Sequence, residues 1–301
     1  MNDIIKNQHY VPQGYLKNFT LEGSDKRIWC FNKKFNKWSD NGIKLRASTN
    51  YFYELSEEYE KKFLKYFGYS SVNSTEKFLS IFESEVFPII KNLIETCETV
   101  DEIKVIDLLY TEDYRVYLAM FIILQYYRTK KYRKRLYEKY YNEKKHELDG
   151  FERNYGFTLY QHSQNIKQLQ KYAKDKSIMQ QMVEIEDLNK NNELLNKIGN
   201  YSWFIGTNNY NIPLVTSDNP VVDMESYKIE DDILRAWAMP LNSKYVLIIV
   251  FDYFINRREF LSKTIKKLSL EEVNYLNKLQ YQQLDEHIFS SIRFNDETFK
   301  S

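Results

Sequence analysis

The chain has 301 residues, a length that suits one large domain or two small ones and that can bury a substantial core. Its 43 lysines and arginines against 42 acidic residues give a net charge of +1, which disfavours a uniformly basic nucleic-acid-coating protein and an acidic tail carrier. Two cysteines cannot build a disulfide framework, and neither a leader-like N-terminus nor a run of about 18 apolar residues is present. We therefore expect a cytoplasmic protein with no membrane partner.

The N-terminal region combines an irregular segment with a hairpin. Residues 8–19 contain Pro12 and Gly14, which favour an irregular path or a short helical turn over residues 13–19. Residues 26–44 alternate short aromatic and β-branched runs with Asn and Lys, and Asn41-Gly42 is a typical turn signal. This pattern predicts a β-hairpin over residues 26–44.

The middle of the chain has helical periodicity and predicts a helical region over residues 74–198. Apolar residues recur every three to four positions after Asn73-Ser74-Thr75, which predicts a helix of roughly 20 residues that contains Pro88. A more buried helix is predicted over residues 111–128, with a basic continuation over 130–146. A further helix is predicted within residues 158–198.

The C-terminal part predicts a β-rich region over residues 201–255 and a last helix over 270–290. Two strands, 201–207 and 212–216, are predicted around a turn at Asn208-Asn209, and two more, 236–241 and 244–251, around Asn242-Ser243. This order of elements predicts an α+β fold. We expect one integrated domain over residues 1–301, with the helical middle packed on a mainly antiparallel sheet formed by N-terminal and C-terminal segments.

The first candidate site residue is His9, in the segment Gln8-His9-Tyr10-Val11-Pro12. An imidazole with a pKa near neutral can act as a general base or as a metal ligand. The alternative interpretation is a structural histidine that holds the N-terminal segment on the core through hydrogen bonds.

Two carboxylates, Glu76 and Glu83, are seven residues apart and therefore lie on one flank of the first predicted helix. They can bind a divalent cation, pair with an arginine, or simply form a solvated flank. Arg128 continues an apolar helical row after Gln125 and requires an anionic partner. Glu83, Asp218 and a ligand are the partners that the sequence leaves open, and a purely structural ion pair remains an alternative.

Two further predicted site residues, Asp218 and Asn219, belong to the segment Thr216-Ser217-Asp218-Asn219-Pro220, which follows an apolar run. Loops at strand ends often build sites, and oxygen ligands of this kind suit Mg²⁺ or the recognition of hydroxyl groups. A turn in which the side chains cap backbone groups is the alternative. The predicted metal ligands are Glu76, Glu83 and Asp218, with Mg²⁺ or Mn²⁺ as the ion.

A basic, tyrosine-rich run over residues 126–146 is the strongest indication of a nucleic-acid partner. It contains nine Lys or Arg against two Glu, and six tyrosines, so it offers both phosphate contacts and stacking faces. A solvated helix face is the alternative. The residues predicted to bind nucleic acid are Arg128, Lys130, Lys131, Arg133, Lys134 and Arg135.

The blocks QHYVPQGYLKNF, the helix with Glu76 and Glu83, LQYYRT at residues 124–129, and TSDNPV together resemble the bacterial DUF4238 family. The resemblance extends from His9 to beyond Pro240, and it implies that these blocks belong together but supplies no activity. Lys130 departs from the family pattern, which often has proline after Arg-Thr, so the end of the preceding helix is uncertain there. We infer that His9, Glu83, Arg128, Asp218 and Asn219 converge on one pocket.

These residues support two functional hypotheses of different classes. The first is a metal-dependent or His-assisted nuclease that acts on RNA or DNA, as an effector in bacterial anti-phage defence. The second is a non-catalytic sensor that binds a nucleotide or a partner protein. No phosphate-binding glycine loop, GxSxG, HExxH or CxxC motif is present, which disfavours nucleotide-dependent kinases, common hydrolases and zinc enzymes.

Overall fold

The computed structural model describes residues 5–99, 105, 108–109, 111–188, 192–229, 232–251 and 265–294. The helices in this part of the chain are α1 (Gln13–Leu16), α2 (Glu57–Phe67), α3 (Ser74–Glu98), α4 (Glu112–Tyr127), α5 (Lys130–Tyr155), α6 (Leu159–Glu186), α7 (Asn192–Gly199) and α8 (Leu270–Gln283). The strands are β1 (Asn7–His9), β2 (Arg27–Asn32), β3 (Lys37–Gly42), β4 (Ser48–Asn50), β5 (Ser202–Thr207), β6 (Thr216–Ser217), β7 (Val222–Ile229), β8 (Asp232–Pro240), β9 (Tyr245–Val250), β10 (Ile265–Lys267) and β11 (His287–Ser290).

The strands form three sheets, which confirms the predicted α+β class. β1 pairs antiparallel with β4. A five-stranded sheet has the order β10-β5-β9-β8-β7, in which only the β10–β5 pair is parallel, and a four-stranded antiparallel sheet has the order β3-β2-β11-β6. The four-stranded sheet joins the N-terminal strands β2 and β3 to the C-terminal strand β11, which confirms that N-terminal and C-terminal segments share a sheet. Within the described residues, no helix is long and apolar enough to cross a membrane.

The central strand of the larger sheet is apolar along its whole length because both of its faces are covered. All six residues of β9, YVLIIV, are buried. Val246 and Ile248 pack in a cluster with residues of α8, whereas Leu247 and Ile249 belong to the main core with residues of α3 and α4. The sheet therefore separates α8 from the large helical region.

Local capping explains where three of the helices begin. The Thr129 hydroxyl accepts a hydrogen bond from the Tyr132 backbone N–H at the start of α5. Thr158 with Gln161 and Ser269 with Glu272 form capping boxes at the starts of α6 and α8. Residues 130–146 are therefore part of a separate helix, and the prediction that they continue the preceding helix is wrong.

Three other sequence predictions require correction. The hairpin turn lies between β2 and β3 at residues 33–36, whereas Asn41-Gly42 pairs with Arg27 and Ile28 inside the ladder. Residues 202–207 and 216–217 do not form a hairpin, because β6 pairs with β11 in the other sheet. The last helix ends at Gln283, and residues 287–290 are a strand. The predicted segment 252–255 lies outside the described residues.

Candidate functional site

Arg128 is the centre of a polar cluster that joins three elements. It follows the last residue of α4, and only 2% of its side chain is exposed. Its Nη1 donates to Glu83 Oε1 of α3 at 2.7 Å, and its Nη2 donates to the backbone oxygen of His9 in β1 at 2.5 Å. The partner of Arg128 is therefore Glu83, one of the three that the sequence left open. We call His9, Glu76, Glu83 and Arg128 the Arg128 cluster.

His9 lies at the partly exposed edge of this cluster. Its Nε2 is 3.2 Å from the Lys44 backbone oxygen and 3.2 Å from Gln13 Nε2. Burial lowers its pKa from the usual 6.5, with a smaller contribution of the same sign from Arg128. The imidazole is therefore mainly neutral at pH 7, so one ring nitrogen carries a proton and the other is an acceptor.

Glu76 is the carboxylate of the cluster with the most strongly shifted pKa. Burial raises the pKa from 4.5 to about 7, the Glu83 carboxylate acts in the same direction, and Arg128 and the His9 backbone oppose the shift. Its Oε1 is buried and makes no hydrogen bond to a described residue. At neutral pH Glu76 is therefore divided between its protonated and ionised forms.

Asp218 and Asn219 make their contacts elsewhere. Asp218 Oδ1 accepts a hydrogen bond from the Asp285 N–H at 2.8 Å, and its Oδ2 accepts from the Glu286 and His287 N–H groups at 2.7 and 2.9 Å. Asn219 donates to the Val221 backbone oxygen at 3.2 Å. These contacts hold β6 against the start of β11. Within the described residues no hydrogen bond or ion pair joins either side chain to Arg128, so a common pocket and a catalytic role stay predictions.

The predicted metal ligands are divided between these two places. Glu76 and Glu83 lie beside Arg128, whereas both oxygens of Asp218 accept backbone hydrogen bonds. Among the residues that the structure describes, no group of three or more His, Cys, Asp or Glu side chains is arranged to hold a metal ion. The donor set named from the sequence therefore does not assemble around one point, and Mg²⁺ or Mn²⁺ binding stays a prediction.

The predicted nucleic-acid-binding residues differ in how freely they reach solvent. Lys130 contacts the Tyr10 ring at 5.0 Å and Glu286 at 3.8 Å, and Lys131 donates to the Gln283 backbone oxygen at 2.5 Å. Arg128 is buried. The more exposed of the six are Lys134 and Arg135, whereas Arg133 is half-buried.

Two residues near Arg128 were not singled out from the sequence. Tyr53 is 4% exposed, and burial raises the pKa of its hydroxyl to about 12, although the nearby Arg128 opposes that shift. Gln181 is fully buried and donates to the backbone oxygens of Tyr127 and Thr129, where α4 gives way to α5. Gln181 could have been recognised from the sequence, because its amide interrupts the apolar helical row of Ile178, Met182 and Ile185. Tyr53 belongs to no periodic pattern and could not.

The comparisons with known proteins identify a family without an assigned activity. The family described as a protein of unknown function (DUF4238) matches residues 7–294. No curated protein matches the chain, and no solved structure does. Because the match covers nearly the whole chain, from β1 to the residues after β11, the protein belongs to the DUF4238 family.

Proposed function

We propose that the protein cleaves RNA without a metal ion, with His9 as the general base. The observation that carries this proposal is a mainly neutral imidazole at the partly exposed edge of a cluster that also contains a buried guanidinium and a carboxyl group with a pKa of about 7. An imidazole that can accept a proton and a carboxyl group that titrates near pH 7, beside a fixed cation, are what acid–base catalysis requires.

The substrate follows from the chemistry that such a cluster can perform. In RNA the attacking nucleophile is the 2′-hydroxyl of the strand itself, so a base alone can activate it. His9 takes the 2′-hydroxyl proton, the 2′-oxygen forms a bond to phosphorus, and the bond from phosphorus to the 5′-oxygen breaks. The protonated form of Glu76 gives its proton to that 5′-oxygen, and the products are a 2′,3′-cyclic phosphate and a 5′-hydroxyl.

The other members of the cluster position these two groups. Arg128 holds Glu83 and the His9 backbone, and its charge opposes the raised pKa of Glu76. The exposed cations Lys134 and Arg135, on the first turns of α5, are proposed to contact phosphates of the bound strand.

The test is cleavage of labelled RNA in EDTA and, separately, in Mg²⁺ or Mn²⁺, by the wild type and by His9→Ala. We expect cleavage in EDTA, a cyclic-phosphate end, and a loss of about 100-fold or more in His9→Ala. His162→Ala is the matched control, because His162 pairs with Glu152 on α5 and makes no contact with the Arg128 cluster. Its rate should equal that of the wild type.

Strands with 2′-deoxy or 2′-O-methyl sugars decide whether the 2′-hydroxyl is the nucleophile. Both should resist cleavage entirely. Equal cleavage of DNA, or cleavage seen only with a divalent cation, would replace this mechanism with the metal-dependent one. Failure of the folded wild type to cut any strand would refute the nuclease proposal.

RNA cleavage of this kind would suit an effector of bacterial anti-phage defence, because destruction of RNA stops phage production in the infected cell. The experiment is phage plating on bacteria that express the wild type, His9→Ala or His162→Ala. We expect protection from the wild type and His162→Ala alone. Equal plating on all three strains would contradict a role for this activity in defence.

A second candidate function is a non-catalytic sensor for a nucleotide or a partner protein. It is favoured by the two hydrogen bonds that Arg128 donates to Glu83 and to the His9 backbone oxygen, because these bonds fix the guanidinium before any ligand binds. In that case the folded wild type binds an RNA oligonucleotide or nucleotide in equilibrium dialysis without altering it, and His9→Ala changes affinity only.

A further inference from the structure

Arg133 carries a positive charge for which the described residues provide no carboxylate. Its Nε donates to Gln181 Oε1 at 2.6 Å, and its Nη1 donates to the Phe52 backbone oxygen at 2.5 Å. Its Cζ lies 3.5 Å from the centre of the Phe52 ring, while its Nη2 is buried and makes no hydrogen bond to a described residue. Burial lowers the pKa of this guanidinium, which reflects the cost of a desolvated cation without a counter-ion.

Other unsatisfied polar atoms surround the same place. The buried hydroxyl of Tyr53 and the buried Nε of Arg128 make no other hydrogen bond to a described residue, and the two side chains are close enough to share one. Burial raises the pKa of Tyr53 to about 12, and the Arg128 and Arg133 guanidiniums both oppose that shift, so both lie close to the hydroxyl. Arg133 Cζ is 5.6 Å from the centre of the Tyr53 ring.

Gln125 adds an amide to this group. It is fully buried, and neither its Nε2 nor its Oε1 has a hydrogen-bond partner among the described residues. It precedes Arg128 by three residues at the end of α4, so the two side chains are neighbours on the same helical face. Buried polar atoms are almost always satisfied, so this concentration of unsatisfied polar atoms needs a physical explanation.

We propose that Tyr53, Gln125, Arg128 and Arg133 form an internal binding site for an oxyanion, such as a phosphate or carboxylate group. Arg133 Nη2, the Tyr53 hydroxyl and the Gln125 amide are the donors to its oxygens, and Arg128, which is hydrogen-bonded to Tyr53, adds its positive charge. Water molecules could satisfy the hydrogen bonds but would leave the Arg133 charge without a counter-ion. Glu76 also faces this group, and in its protonated form it adds an O–H donor.

The site adjoins a residue that is in part accessible, since Arg133 as a whole is half-buried although its Nη2 is buried. The site shares Arg128 and Glu76 with the proposed RNA-cleaving cluster but does not use the His9 imidazole, so anion binding and RNA cleavage are tested by different variants.

The experiment is calorimetric titration of the wild type with inorganic phosphate and, separately, with acetate, in chloride buffer of constant ionic strength at pH 7. Thermal unfolding at increasing phosphate is measured in parallel. We expect binding to the wild type with a rise in the unfolding temperature, and a phosphate Kd at least ten-fold higher in Arg133→Gln and in Tyr53→Phe. Tyr53→Phe keeps the ring packing and remains informative if Arg133→Gln does not fold.

The control is Arg235→Gln, which removes an exposed arginine paired with Asp223 and should bind phosphate as the wild type does. Binding of acetate with equal affinity would identify a carboxylate as an equally suitable occupant within the proposed class. Absence of binding by both anions, or an unchanged Kd in both variants, would overturn the proposal and leave buried water as the occupant.

Discussion

Arg128 joins the N-terminal strand β1 to α3 and α4. We predict that Arg128→Met destabilises the protein by about 3–5 kcal/mol, because it leaves the Glu83 carboxylate and the His9 carbonyl without their donor. Urea unfolding measures this loss. Arg27→Met is the control, since Arg27 forms an exposed pair with Asp40 and should cost within about 1 kcal/mol. Equal small losses in both variants would contradict a central role for Arg128.

Glu76 gives the stability a specific dependence on pH. Its native pKa of about 7 lies above the unfolded value of 4.5, so the native state binds more protons between these values and the free energy of unfolding falls as pH rises through them. We predict that Glu76→Gln is more stable than the wild type above pH 7, by on the order of 3 kcal/mol, and that the difference vanishes below pH 4.5. Urea unfolding at several pH values measures it.

The exposed Glu147 provides the control for this prediction. Glu147→Gln removes a carboxylate that pairs with Lys144 on the surface of α5, so its stability difference from the wild type should stay small at every pH. A Glu76→Gln difference that does not change with pH would show that the pKa of Glu76 is the same in the native and unfolded states.

For single residues, the sequence predicted neighbours correctly where the residues share a helical row. Helix spacing put Glu76 and Glu83 on one flank and Arg128 at the end of an apolar row, and the ion pair of Arg128 with Glu83 follows from two such rows facing each other. The contacts of Asp218 were not predictable, because its hydrogen-bond donors lie 67 to 69 residues further along the chain.

Among the elements, α5 and α2 contain glycines whose replacement should have opposite effects. Gly150 lies inside α5, and an added Cβ would meet nothing within 4 Å, so Gly150→Ala should stabilise the protein by about 0.5–1 kcal/mol. Gly68 ends α2 with a φ of +81°, so Gly68→Ala should destabilise it by about 1 kcal/mol. Thermal unfolding of both variants tests the pair, and equal signs would contradict these backbone assignments.

Elements with strong local signals were predicted well, and short strands were not. The apolar row after residue 74 predicts α3, although the Asn73 side chain does not cap it, and the continuous apolar run of β9 predicts a strand that is covered on both faces. β6 has only two residues, and β1, β4 and β10 have three each. Segments of two or three residues are too short to show an alternating pattern in the sequence. Whether they form strands is decided by the strands that they pair with in space.

For the whole molecule, β11 is the element that unites the two ends of the chain. It pairs with β2 on one side and β6 on the other, and the residues before it supply the donors for the buried Asp218 carboxylate. We predict that a chain ending at residue 284 loses cooperative unfolding, because two strands and a buried charge lose their partners together. The wild-type chain is the control.

Circular dichroism during urea unfolding tests this prediction in both the far and near ultraviolet. The shorter chain should show a broad transition and a weak near-ultraviolet signal. A sharp transition close to that of the control chain would show that β2 and β6 are stable without β11.

The position of β11 also has a consequence during synthesis on the ribosome. β2 is complete by residue 32, yet the strand beside it begins at residue 287. At about 5–20 residues per second, roughly 10 to 50 s pass between the translation of the two strands. Throughout that interval one edge of the nascent β2–β3 hairpin is unpaired and open to other chains, so newly made protein should depend on chaperones more than protein refolded from urea at high dilution.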